Sequence, residues 1–483
     1  MNNNQESIDL YEYTNKELFG GCIDSLDEFL NDIWRNRSTS SCICNGIETE
    51  NDQKQQTNQK FVKLYRNDCI KACNYVGVIK IDGTTINILP KIFYDENNPE
   101  RSQAELNAIQ VNILWWLSYN IKLKFPKTDS HLGSFKNNFL EVLIYLFATY
   151  TREALSHCLY QAYDEFDKDL SYMKGRININ RYINDHISKG NWHKLACTYE
   201  SFEFDNLFNR IIKYVSRILL GTSENIENKK LLSEILFLLD EVTDSKADYK
   251  DCDKVKLNPL HNNLQTVLDY CRLFLSNSIT FDYKEKFKVF AILLPMEKIF
   301  EDFIFGFIDK NLNDANGIKN LKRQKSDLSL ASLYENGKLV HDKIFTLKHD
   351  IYFEYEGKKV IADTKYKLTY NLDQAYSGQE NKHGVSQSDL YQMVSYAIRR
   401  DATDVYLIYP QTISEQEHES DKKSVKFVVQ DECAGKNINV HISKVPIIHT
   451  QFPNVVPEWS LKENFEETKS ELRKKLCQTF GFS

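Results

Sequence analysis

No apolar run in this 483-residue chain approaches the roughly 20 residues that a membrane-spanning helix needs, and the opening MNNNQESIDLYEY has no basic stretch followed by an apolar one. No membrane association is expected, and the expected compartment is the cytoplasm. The eleven cysteines include no C-x-x-C pair and are odd in number, which argues against both a disulfide framework and a zinc ribbon. Cys42 with Cys44 and Cys69 with Cys73 are the closest pairs; without partner ligands at zinc-site spacing they read as reduced thiols. No G-x-x-x-x-G-K-[ST] occurs, because Gly337-Lys338 and Gly435-Lys436 lack the preceding glycine and the following Ser or Thr. H-E-x-x-H and G-x-S-x-G are also missing. An energy source or a base reader should therefore come from another polypeptide. A net charge of −7 excludes a protein that coats nucleic acid by charge alone.

What the chain does have is enough apolar content, 42%, to bury a large core in two or three domains. Its most informative stretch is HDKIFTLKHDIYFEYEGKKVIADTKYK, residues 341 to 367. Two runs rich in β-branched and aromatic residues, IYFEYE and KVIADTKYK, flank the turn signal Glu356-Gly357-Lys358 and predict a hairpin. Asp350 opens its first strand. Asp363 and Lys365, two apart near the end of the second, share a face by the period-2 rule. Asp363 follows the apolar Val360-Ile361-Ala362, as a buried central strand emerging at a site would, and a carboxylate there needs a partner or a metal. Two acids and a backbone carbonyl, that of Thr364, are the hard oxygen ligands that Mg²⁺ takes. A lysine beside them can orient or help deprotonate a water and balance charge in phosphodiester hydrolysis. Between Lys319 and Lys367 there are eleven Lys or Arg against seven Asp or Glu, a local surplus that suits DNA. An ordinary solvated hairpin with alternating Asp and Lys is the competing reading.

The segment resembles the PD-(D/E)xK nuclease core, and more specifically the nuclease half of the McrC family, the endonuclease subunits of McrBC-type (5-methylcytosine) restriction systems and their LlaJI-like relatives. Further blocks lie in the family's order: YVGVIKIDGTTINILPKI (75 to 92), LSYMKGRININRYI (170 to 183), YESFEFDNLFNRIIKYV (199 to 215), MEKIFEDFI (296 to 304), SDLYQMVSYAIRR (388 to 400) and VYLIYP (405 to 410). His349-Asp350 stands where the family has Pro-Asp. The resemblance implies an α+β multidomain chain: a small β-rich N-terminal domain, a helical middle region, and a C-terminal α/β PD-(D/E)xK nuclease core with a mixed sheet. The expected divisions are 1–165 for a partner-engaging region, 166–290 for a helical connection and 291–483 for the nuclease domain. It also implies catalysis by Asp350, Asp363 and Lys365, a Mg²⁺ held by Asp350, Asp363 and Thr364, a DNA substrate, and a McrB-like AAA+ hexamer as partner. Glu301 matches the acid that such cores take from the helix before the sheet; the alternative is a glutamate paired with Lys298 or Lys310. Gln392 and Tyr396, at i and i+4, resemble the Q-x-x-x-Y pair of some relatives and, with Lys367, would lie near DNA. A chain that stimulates a partner NTPase without cutting is the alternative function.

Elsewhere, Leu26, Phe29, Leu30 and Ile33 share one face of an expected helix, with Ser25 as its cap. Residues 45 to 60 read as a polar loop, and Asp82-Gly83 as a hairpin turn. Residues 102 to 125 and 135 to 163 read as helices, Gly175-Arg176 as a loop with an exposed cation, and 199 to 287 as mostly helical. Residues 369 to 387 read as a DNA-facing flap, Ser388 as the cap of the following helix, and 461 to 476 as a charged helix.

Overall fold

The computed structural model describes residues 7–36, 59–81, 84–95, 101–119, 139–157, 160–257, 262–277, 281–283, 287–313, 317–368, 384–417, 425–431, 435–453 and 465–482. Most of the polar loop at 45–60, the Asp82-Gly83 turn and most of the flap at 369–387 lie outside them. The chain forms two compact units, one made of residues 1–139 with 281–483 and the other of 140–280. This departs from the three consecutive segments expected, for a reason no local pattern carries. Strand Phe287–Pro295 pairs antiparallel with Tyr75–Ile81, Ile79 opposite Ala291, so the front sheet is completed from beyond the middle region.

In the first unit, the front sheet runs in the order 7–11, 84–89, 75–81, 287–295, 281–283. Ile81 faces Thr84, so the expected hairpin forms. Helix Ile23–Asn36 begins just before the expected cap and buries Leu26, Phe29, Leu30 and Ile33. The rear sheet has six strands in the order 319–335, 338–355, 358–364, 404–410, 436–445, 425–431. Its centre is parallel, 358–364 beside 404–410 beside 436–445, and its flanks are antiparallel. Two parallel neighbours need a crossover, and helix Gln387–Arg400 provides it between the first pair. Ile361, Val405, Leu407 and Val440 are buried beneath that helix with Met393, Tyr396 and Ala397. The expected hairpin is present: Tyr355 faces Lys358, and Glu356 and Gly357 have φ of 47° and 76°, the all-positive turn that matches strand twist. Its first strand, however, starts at Lys338 and not at Asp350, because an unexpected turn at Asn336-Gly337 closes a long ribbon with Lys319–Glu335.

Helix Gln103–Leu117 starts at a capping box in which Ser102 accepts from the Glu105 amide, and it is packed into the rear of this unit. Trp116 Nε1 donates to the Ile447 carbonyl over 2.8 Å, and the His449 amide donates to Asn112 Oδ1 over 3.0 Å. Trp115 stacks on Phe465 at 4.4 Å and meets Phe303 edge-on at 4.8 Å. Gly306 of helix Met296–Asn311 lets that helix approach so closely that a Cβ there would stand 2.1 Å from the Tyr119 carbonyl oxygen. Front and rear segments therefore share one core. The terminal helix Glu466–Phe480 buries Leu472, Leu476 and Phe480.

The second unit carries a three-stranded sheet, 162–170, 195–203 and 176–177, where helix or loop was expected over most of its length, followed by helices Leu207–Thr222, Ile226–Leu238, Tyr249–Lys254 and Asn262–Asn277. Arg176 is exposed after a left-handed Gly175, as expected. Asn206 caps the first of these helices, and the side-chain amides of Asn206 and Asn209 both donate to the Tyr160 carbonyl. No helix among the described residues is long and apolar enough to cross a membrane.

Candidate active site

The antiparallel register runs down the hairpin to Ile351 facing Ala362, so Asp350 and Asp363 leave the ladder as neighbours. Like charges in that relation repel. Thr364 answers Asp350 directly, its amide donating to Oδ2 at 2.8 Å and its hydroxyl at 2.9 Å. Lys365 answers Asp363, with Nζ 2.7 Å from Oδ2. Both answering residues follow Asp363 at the end of the second strand. The Lys365 amide bonds the Ile408 carbonyl at 2.8 Å, which ties this end of the strand to its parallel neighbour.

Electrostatics follow from burial. Asp363 is buried and Asp350 half-buried. Desolvation, then the Asp363 and Glu301 charges, push Asp350 well above the usual carboxylate range, the Thr364 bonds pulling the other way. Desolvation also raises Asp363, opposed by Lys365 and reinforced by Asp389 and Glu301. At Lys365 desolvation works against the charge, but Asp363, Asp350 and Asp389 outweigh it and hold the ammonium above its ordinary value. These neighbours favour the ammonium form of Lys365.

The surrounding residues separate into those that touch this centre and those that brace it. Gln392 reaches it: Lys365 Nζ donates to Oε1 at 3.1 Å, while Nε2 donates to the Tyr396 hydroxyl at 2.6 Å. Tyr396 is buried, donates to the Lys348 carbonyl at 2.6 Å and lies 4.3 Å from the His349 ring, so it fixes the amide from behind. The His349 imidazole is enclosed, Nδ1 lies 2.9 Å from the Lys325 carbonyl oxygen, and burial pulls its pKa down. It is a neutral packing group. Glu301 stands near enough to raise both aspartates, yet its oxygens accept from Lys298 at 2.7 Å and Gln324 at 2.8 Å. Lys310 goes elsewhere, to the Ser118 carbonyl. Lys367 pairs with Asp389 at 2.9 Å.

Asp389 is the residue that sequence reasoning misses. It is buried, pairs with Lys367, and lies 3.9 Å from Lys365 Nζ. Its signal was Ser386-x-x-Asp389: Ser386, not the expected Ser388, caps the helix and accepts from the Asp389 amide at 3.2 Å.

Among the described residues, no group of three or more His, Cys, Asp or Glu is gathered that could hold a metal ion by itself. Two neighbouring carboxylates, both pushed up by burial and by nearby acidic charge, nevertheless present hard oxygens with a demand for positive charge, which fits a cation that keeps several of its waters.

A mixed α/β protein with two aspartates and a lysine at the end of a central strand is thereby defined. Residues 70–410 match the family model described as the McrBC 5-methylcytosine restriction system component, and the chain belongs to that family. Among solved structures, it is similar to a chain of the half-complex from the tetradecameric assembly of Thermococcus gammatolerans McrB AAA+ hexamers with bound McrC. That match has 18% identity and a TM-score of 0.59, and covers 97% of this chain and 99% of that one. A second similarity, to the cryo-EM structure of the Thermococcus gammatolerans McrBC complex, has 21% identity and a TM-score of 0.43, covering 63% and 88%. No curated protein matches.

Proposed function

We propose that this chain is the DNA-cleaving subunit of a McrBC-like restriction system, hydrolysing phosphodiester bonds with Mg²⁺ in a PD-(D/E)xK site and working with an AAA+ NTPase in defence against foreign DNA. The observation that carries this reading is Lys365 Nζ 2.7 Å from one of two aspartates that leave the ladder side by side. A chain that had become a non-catalytic regulator would have no reason to keep three buried or half-buried charges together at such a desolvation cost. Family membership supports the restriction role, and the solved McrB hexamers with bound McrC support the partner.

In this mechanism Asp350, Asp363 and the Thr364 carbonyl would hold the cation, which supplies polarisation of a phosphate oxygen and acidification of a bound water. The chain's own part is positional and electrostatic. Lys365, kept protonated, donates to the attacking water or to a non-bridging oxygen and balances the charge that grows in the transition state. Gln392, locked by Tyr396, limits where that ammonium can go. Asp389 draws Lys367 to the same rim, beside the strand end where a backbone phosphate would approach.

NTP turnover by a McrB-like AAA+ partner protein is the test. Adding the chain is expected to raise turnover, and DNA cleavage with Mg²⁺ is expected to need both proteins, the chain alone cutting feebly. Unchanged turnover together with robust cutting by the chain alone would identify a self-sufficient nuclease and overturn the partner reading.

A further inference from the structure

Lys91 is a cation buried far from any solvent need. It opens the short helical turn Lys91–Phe93 that follows front strand Thr84–Leu89 and Pro90, and it is 8% exposed. Its Nζ donates to the Tyr366 carbonyl over 2.9 Å and lies 4.4 Å from the centre of the Tyr366 ring and 5.4 Å from that of Tyr13. Its own amide donates to Glu12 Oε2 at 3.2 Å, and Glu12 is fully buried. Burying an ammonium is costly unless it is paired and hydrogen-bonded. Here Glu12, a carbonyl and an aromatic face supply the partners, while Glu297 and Lys367 add weaker charges of opposite sign. Burial in turn pushes the Glu12 carboxyl up to about 7 against the pull of Lys91.

Tyr366 lies between the two lysines of the site. The Lys367 amide donates back to the Lys365 carbonyl at 2.9 Å, closing a three-residue turn with Tyr366 at its apex. The Tyr366 ring is buried, 6.0 Å from that of Phe300 in the helix that carries Glu301. Three things therefore fix the course of residues 365 to 367: the Ile408 carbonyl at one end, the tight turn, and the ammonium that Lys91, just after a front-sheet strand, places on the apex carbonyl.

We propose that Lys91 is a positioning residue for the site: by pinning the Tyr366 carbonyl it sets Lys365 Nζ between Asp363 and Gln392 and Lys367 against Asp389, making the front sheet a working part of the nuclease. The inference rests on the nuclease reading above.

The test uses the full chain with its AAA+ partner, NTP and Mg²⁺. Lys91→Met keeps the stem and removes the ammonium. It is expected to lower kcat for DNA cleavage on the order of ten- to a hundredfold with KM for DNA held within roughly twofold, since a shift of about 1 Å in a positioned group suffices. Lys91→Arg, which returns a cation, is expected to recover part of the rate. A merely structural residue would not show this split or this rescue. A Lys91→Met rate equal to wild type, or Lys91→Arg no faster than Lys91→Met, overturns the inference. Should Lys91→Met fail to fold, Glu12→Gln carries the test: it keeps an acceptor for the Lys91 amide and removes the charge that holds the ammonium. A kcat loss of roughly threefold or more is then expected by the same positional argument, and an unchanged kcat overturns the inference. Asp363→Ala run in parallel separates the two failures. If wild type does not cut, or Asp363→Ala cuts as well as wild type, the nuclease reading fails; if only Asp363→Ala is dead and Lys91→Met is fully active, this inference alone fails.

Discussion

Replacing Asp350 by asparagine is expected to lower Mg²⁺-dependent cleavage by about three orders of magnitude, the equivalent of several kcal/mol of charge stabilisation in the transition state, and to raise the stability of the protein at neutral pH. The asparagine carbonyl oxygen can still accept from the Thr364 amide and hydroxyl, so the local geometry survives. What disappears is a carboxylate whose folded-state pKa stands well above 3.8 because of burial and its neighbours Asp363 and Glu301. A raised acid pKa means that the folded state binds the proton more tightly than the unfolded one. Stability therefore falls as pH rises from the unfolded value through the raised folded value, and the loss is complete above both. Thermal melts from pH 4 to pH 8 should show the advantage of Asp350→Asn over wild type growing with pH. Full cleavage by Asp350→Asn, or an advantage that shrinks with pH, would contradict this reading of the site.

The second large effect concerns the unit's integrity. A chain reduced to residues 291–483, the nuclease domain as sequence reasoning delimits it, is expected not to fold. It would lose helix Gln103–Leu117, and with it Trp115 against Phe465 and Phe303, the Trp116 bond to Ile447, and the Asn112 bond to His449. It would also lose Lys91 from Tyr366. Removing a single buried tryptophan side chain typically costs about 3–5 kcal/mol, and a whole domain is stable by only about 5–15 kcal/mol. Two tryptophans and two buried hydrogen bonds together are comparable to that whole margin. Far-ultraviolet circular dichroism and urea titration of the fragment report the outcome. A cooperative transition with native-like helix content would show that the rear sheet stands alone.

The elements legible in the sequence were those whose signal is local. Glu356-Gly357 between two β-rich runs gave the hairpin, and its two positive φ angles explain why the turn needs a glycine. Asp363 two residues before Lys365, after Val360-Ile361-Ala362, gave the centre of the site. The ribbon that precedes it was missed although Asn336-Gly337 is a strong turn dipeptide, because its flanks are largely exposed and lack the apolar alternation that marks a half-buried strand. Strand Leu195–Glu203 went unseen for a similar reason: only Ala196 and Cys197 of it are buried. A short strand region is legible beyond Asp431, but not that Lys436–Val445 sits inside the rear sheet between 404–410 and 425–431. Pairing between 75–81 and 287–295, and the burial of helix Gln103–Leu117 against residues 447 to 449 and 465, join segments hundreds of positions apart and leave no trace in a window of a dozen residues. Helical spacing put Lys298 within reach of Glu301, as the alternative reading had it, but Gln324 and Asp389 come to Glu301 and Lys367 from other elements and leave no local signal.

The central claim is that Asp350 and Asp363 together take a divalent cation beside Lys365. The most direct measurement is the melting temperature of the chain alone as Mg²⁺ is titrated, for wild type and for the double variant Asp350→Asn, Asp363→Asn. An ion that binds the folded state stabilises it by mass action, so wild type should show a saturable rise, about 2.7 kcal/mol at a hundred times the dissociation constant, and the variant none. No rise in wild type, or the same rise in both proteins, would contradict it.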